Sequence, residues 1–196
     1  MAESAESIII AANATVSTAP YSGSLAFPTS PTASLDAAYS DVGFVSEEGA
    51  SFTDSQSTDD IRVWQSFYPV RTFVTEKTSS LEFVCKQFDP ESVGLALGGG
   101  TVTVTGTAPN EIATYVPPAP EDIDYRSLVL TWEDGGNDFR LVFPRGIVNG
   151  DVSVNLARSG SADLPIAYKA TPLGAPDANE ESNAFYLLTN HPNWTD

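Results

Sequence analysis

The sequence predicts a mainly β fold, an antiparallel β-sandwich or barrel with one short helix, on three observations. Short segments rich in Val, Ile, Thr, Phe and Trp recur through the middle of the chain, and these residues suit a pleated, half-buried surface. Turns containing Gly, Pro, Asn or Asp separate them, with no sustained helical spacing. Only one stretch carries a helix start and a helix stop in the right order. Many short strands with a single short helix indicate an antiparallel sandwich or barrel, whose edges must be protected or used.

Residues 1–38 are rich in Ala, Ser, Thr and Pro and read as an extended N-terminal arm that needs a partner to become ordered. The folded domain is expected over 39–172. Within it, VWQSFYPVRTFVTE (63–76) reads as a strand bent at Pro69. SLEFVCKQF (80–88) alternates, with Leu81, Phe83 and Cys85 facing one way and Glu82, Val84 and Lys86 the other. In DPESVGLALGGG (89–100), Asp89 suits a helix N-cap, Pro90 the first helical position and Gly98 the stop.

TVTVTGT (101–107) is a strand with Val102 and Val104 on one face, and the Pro-rich TYVPPAPEDID (114–124) reads as an insert. YRSLVLTWE (125–133) and DFRLVFPRG (138–146) flank Asp134-Gly135-Gly136-Asn137, a strong hairpin signal. Arg126, Leu128, Leu130 and Trp132 share one side of the first of these strands. IVNGDVSVNL (147–156) and LPIAYKATP (164–172) follow as further strands, and 173–196 reads as a C-terminal arm ending in the apolar group Phe185 to Leu188.

Nine basic against 26 acidic residues give a formal charge of −17. Such a surface repels phosphate, which argues against nucleic-acid binding by counterion release. Cys85 is the sole cysteine, so no disulfide forms within the chain, and on an apolar face its thiol acts as a small hydrophobe. The N-terminus MAESAESIII carries acids where a secretion signal needs bases, and no apolar run reaches the length of a membrane span. The chain is therefore expected to stay in, or be assembled in, a cytoplasm.

Signals for catalysis are weak. His191 is the sole histidine and lies in the tail, which leaves no basis for a His-based zinc site or a Ser/His triad. Gly98-Gly99-Gly100 is followed by no GK[ST] and reads as a helix stop rather than a phosphate loop. The acidic pairs Glu47-Glu48, Asp59-Asp60, Glu121-Asp122 and Glu180-Glu181 lack the spacing of a calcium loop and read as solvated surface. No catalytic, cofactor-binding or metal site is expected.

From Gly43 to Gly98 the chain resembles a major tail tube protein of long-tailed (siphovirus-type) actinobacteriophages. The resemblance rests on Gly43, Phe44, Ser46, Glu47, Glu48, Gly49 and Phe52 before an acidic stretch, then on Ile61, Trp64, Gln65, Val70, Arg71 and Thr75, and finally on Leu95, Leu97 and Gly98. Their order, rather than any one of them, carries it. The resemblance implies a tail-tube type of β-sandwich with extended arms, six-membered rings and rings stacked into a hollow tube. It also implies a tape measure protein and a tail terminator as partners, and double-stranded DNA passing through the lumen without specific binding.

On that basis, residues 43–67 are expected to form a long loop or hairpin crossing to the adjacent ring and ordering on contact. Its contact candidates are Phe44, Glu47, Glu48, Phe52, Asp59, Asp60, Arg62 and Trp64. Trp64 is expected to pack in a core or an interface. The competing reading is an acidic β-sandwich that binds carbohydrate or a cell-surface partner, as a decoration or adhesin module, with Trp132 and Trp64 as stacking platforms.

Overall fold

The computed structural model describes residues 8–154, 158, 161–173 and 184–195. Its main sheet is antiparallel throughout and runs β2 (Ser40–Asp41), β1 (Thr15–Pro20), β7 (Arg126–Asp134), β8 (Asn137–Val148), β9 (Leu164–Ala170), β4 (Arg71–Cys85) and β3 (Val45–Ile61). A further strand, β10 (Tyr186–Thr189), pairs with β8. A separate hairpin joins β5 (Thr101–Thr105) to β6 (Ile112–Val116). Two short helices complete the described chain, α1 (Pro90–Ala96) and α2 (Pro192–Thr195).

One strand turns this sheet into a sandwich. β8 pairs with β10 over Phe139–Val142 and with β9 over Gly146–Val148. Between these stretches its register against β7 shifts, with Arg126 opposite Gly146 and Leu128 opposite Phe143. Pro144 falls in the shift and has no N–H to give to a ladder, so the strand bends there at little cost in hydrogen bonds. A bulged strand that changes partners is how a sheet turns a corner. β2, β1, β7 and β10 gather around the first half of β8, and β9, β4 and β3 around the second.

The core lies between these halves. Leu81, Phe83 and Cys85 alternate along β4 and pair with Tyr168, Ile166 and Leu164 of β9, so six apolar side chains share one face. Val16, Leu128 and Phe143 from the other half meet them, and Leu95 and Ala96 of α1 close one side. The expected alternation of 80–88 is present, and Cys85 is buried, its thiol pushed up to about 12 chiefly by loss of solvent.

Helix α1 follows its sequence signals. The Asp89 carboxylate accepts from the Ser92 N–H at 2.8 Å, and the Ser92 hydroxyl accepts from the Asp89 N–H at 3.0 Å. At the far end the N–H groups of Gly98 and Gly99 return to the carbonyls of Leu95 and Gly94, the double bond of a Schellman stop. The β7–β8 turn has positive φ at Gly135 and Gly136, as the tight hairpin turn requires at both central positions.

Four segments differ from expectation. The expected strand over 63–76 is instead a nine-residue turn, 62–70, leading into a β4 that runs unbroken from Arg71 to Cys85. β6 occupies the start of the Pro-rich stretch, because residues 112–116 precede its prolines and contain Ile, Thr, Tyr and Val. Of IVNGDVSVNL, Ile147 and Val148 end β8 and residues 149–154 are not in a strand; residues 155 and 156 lie outside the described residues.

The fourth difference concerns the stretches read as arms. Thr15–Pro20 form β1, paired along its whole length with β7, and Tyr186–Thr189 pair with β8. Residues 21–39 cross the outer face of β7 and β8. There Arg140 donates to the Ser30 and Ala33 carbonyls at 2.9 and 2.8 Å, and Tyr39 and Ser127 share a 2.7 Å hydrogen bond. Val129, Val142 and Ser127 are fully buried as a result, so the middle of β7 is covered on both faces. Residues 174–183, the polar part of the expected C-terminal arm, lie outside the described residues.

Candidate assembly surface

β4 has β9 as a neighbour only over Ser80–Cys85. Beyond that, β3 and β4 continue as a two-stranded ribbon, paired from Asp54 opposite Ser79 to Ile61 opposite Arg71. At about 3.3 Å per residue the ribbon projects roughly 30 Å from the body. A β-bulge falls where Ser57 faces Glu76 and Thr58 faces Val74, and the Thr75 hydroxyl donates to the Ser57 carbonyl there. All of Ser51 to Asp60 is exposed, which explains why this stretch has so little to bury: it is strand with solvent on both faces. Isolated two-stranded ribbons are marginal in water.

Local polar contacts hold the ribbon in shape. Ser79 donates to Asp54 at 2.6 Å, Lys77 lies 3.5 Å from the same carboxylate, and Thr72 donates to Asp60 at 2.7 Å. At its root Phe52 packs edge-on against Phe185 at 4.8 Å and tilts onto Phe143 at 5.8 Å. Those contacts clamp the ribbon to the sandwich.

The tip has a different character. Trp64 and Phe67 are as exposed as free side chains, at 101% and 103%. Ile61, Val63, Tyr68, Val70, Phe73 and Val74 around them are exposed too. So many exposed apolar side chains at the end of a projecting element are a feature typical of interaction surfaces. The ten residues 62–71, RVWQSFYPVR, hold two arginines and no acid, an aromatic turn with Asp59 and Asp60 immediately behind it on β3.

The sequence-derived candidates divide accordingly. Phe44, Glu47 and Glu48 are exposed beside the root, Phe52 is the clamp, and Asp59, Asp60, Arg62 and Trp64 occupy the distal end. Trp64 packs in no core of its own chain. Phe67, Tyr68 and Val70 of the turn and Phe73 and Val74 of β4 share this exposure and were not among the candidates. The β5–β6 hairpin adds Val102, Val104, Ile112 and Val116 as exposed apolar residues. Val102 and Val104 lie on one face, as expected, opposite Tyr115 and Ala113.

Other features bear on chemistry. Trp132 stacks on Phe139 at 5.3 Å, nearly parallel, with its indole nitrogen enclosed, so it offers no open platform. His191 is buried against Phe139. Arg126 donates to Asp124 and Glu91, both at 2.7 Å. Burial opposes its charge, but these carboxylates overcome that and raise its pKa, and the cluster ties α1 to β7. Among the described residues, no three His, Cys, Asp or Glu side chains are grouped to hold a metal ion, and no helix is long and apolar enough to cross a membrane.

A family model described as phage tail tube protein matches residues 1–193. No curated protein matches the chain significantly. A sandwich that places its apolar excess on a projecting ribbon suits a protein that assembles with copies of itself, and with this match the chain belongs to the phage tail tube protein family, structural components of the virion tail.

Proposed function

We propose that this chain is the major subunit of the tail tube of a long-tailed actinobacteriophage, with six copies to a ring and rings stacked into the conduit through which the genome leaves. The β3–β4 ribbon is the bridge between rings. The observation that carries this reading is a roughly 30 Å two-stranded extension ending in exposed Trp64, Phe67 and Tyr68, which gains little stability within its own subunit. Contacts between unlike surfaces propagate along an axis when they do not close into a ring. The tape measure protein and a tail terminator are the further partners that such a tube requires.

The acidic balance suits the conduit. Carboxylates along a lumen hold phosphates off at about a Debye length, ~8 Å at physiological salt, so duplex DNA passes without being retained. Of the two tryptophans considered as sugar platforms, Trp64 is open, whereas Trp132 has one face stacked on Phe139 and its indole nitrogen enclosed.

The test shortens the ribbon. Replacing residues 55–78 with Asn-Gly retains the Asp54–Ser79 pair and the Phe52 clamp. The variant should fold with an unchanged body, by circular dichroism and thermal melting, and give no tubes by electron microscopy. Full-length tubes from it would remove the bridging role.

A further inference from the structure

The ribbon's root carries a cleft of about 620 Å³ between the segment before β1 and the first residues of β3. Ala12 and Ala14 line one side, Ala50 the other, and Leu130 contributes from β7. Asp41 and Glu47, both exposed, border it. The volume falls in the ~300–1,000 Å³ range of pockets that seat ring-sized groups. Small side chains and a half-buried Leu130 give it apolar walls, and its charged border is wholly acidic.

These properties are the converse of those at the tip. The turn at the tip offers an indole with no cover and two cations, Arg62 and Arg71, with Asp59 and Asp60 set behind it on β3, where Asp60 is held by Thr72. An aromatic anchor in an alanine-walled recess with arginine over carboxylate is the composition in which interface energy concentrates. Within one molecule the two cannot meet, because the ribbon holds them roughly 30 Å apart. Between molecules they can, each copy giving its tip and receiving another's.

We propose that the cleft at the ribbon root is the receptor for the ribbon tip of a second copy, with Trp64 of the donor seated between Ala12, Ala14 and Ala50 and the donor's Arg62 facing Glu47. The inference rests on the bridging role of the ribbon and names its acceptor. The contact is head-to-tail, with donor and acceptor at opposite ends of the ribbon. It propagates along the ribbon's direction when it does not close into a ring, with a repeat close to the ribbon's own reach.

Disulfide trapping tests it. Ala12→Cys and Gln65→Cys, both at exposed positions, are combined in one chain, and Cys85 is buried. Mild oxidation of assembled material should give a ladder of covalent multimers on a denaturing gel, absent from either single variant and from dilute monomer. A second arm reverses charge. Glu47→Lys should raise the concentration needed for assembly by about tenfold, since a like charge at a contact is costly, and adding Arg62→Glu should recover most of that loss.

Assembled tubes without a ladder, or charge reversal without rescue, would overturn the assignment of the cleft. That outcome differs from failure of the bridging role itself, which shows as tubes formed by the shortened ribbon. If neither the double-cysteine chain nor a mixture of the two single variants yields covalent product at millimolar concentration, the receptor lies elsewhere.

Discussion

Tyr168 shows how closely the two halves of the sandwich are fitted at the level of single residues. Its ring is fully buried against Phe143 at 5.6 Å, and its hydroxyl donates to the Arg126 carbonyl at 2.7 Å. Gly146 lies against that ring at the bend of β8, where an added Cβ would run into the Tyr168 ring and the Lys169 carbonyl. Gly146→Ala should therefore destabilise the fold by about 1–3 kcal/mol, the usual cost of overpacking, read as a lowered denaturant midpoint. Burial also raises the Tyr168 pKa well above 10.0, that of Tyr186 to about 12 and that of Cys85 to about 12. In the unfolded chain these groups ionise near their ordinary values of 9.0 and 10.0, so above pH ~9 the unfolded state loses protons that the folded state keeps. Thermal stability should fall as pH rises above that value, and the fall should be smaller in Tyr168→Phe. A melting temperature unchanged up to pH 11 would contradict this account.

At the scale of elements, the capped helix and the ribbon make contrasting predictions. Asp89→Ala removes one side of a reciprocal cap and should cost about 1 kcal/mol. Phe52→Ala, at a partly exposed clamp, should cost about 1–2 kcal/mol, less than the ~3–5 of a fully buried phenylalanine. Replacing Trp64, Phe67 and Tyr68 together by serine should change monomer stability by no more than about 0.5 kcal/mol, as for surface positions without partners, yet abolish assembly. Elements whose signals are local were legible in the sequence: the Asp89 cap, the Gly135-Gly136 turn and the alternation of Leu81, Phe83 and Cys85. Those decided by distant neighbours were not. Residues 15–20 are a strand because β7 offers them an edge, and 62–70 are a turn because the ribbon ends there, although Trp64, Phe67 and Tyr68 have strand-forming side chains. The contact candidates from Phe44 to Trp64 were placed on one element by the sequence, but its division into root, clamp and tip depends on where β9 stops supporting β4.

For the molecule as a whole, charge and apolar surface act in opposition. Copies carrying −17 each repel one another over a Debye length, ~20–30 Å near 0.01–0.02 M salt and ~8 Å at physiological salt, while in the proposed assembly the tips attract at contact. Raising ionic strength toward 0.3 M should therefore lower the concentration at which tubes form, measured by light scattering. If tubes instead dissolve, ionic contacts outweigh apolar ones. In the proposed conduit, exchanging acids that face the lumen for lysine should slow genome release, because a basic wall retains phosphate.

The ribbon leaves the sandwich on one side only, and in the proposed stack that asymmetry sets how a finite column must finish. One terminus of such a stack displays the uncovered Trp64 and Phe67 of its ribbons, while the opposite terminus displays the ribbon roots. Growth and arrest at the two extremities are thus chemically distinct events. A protein that halts elongation has to recognise one of them and cannot serve for both.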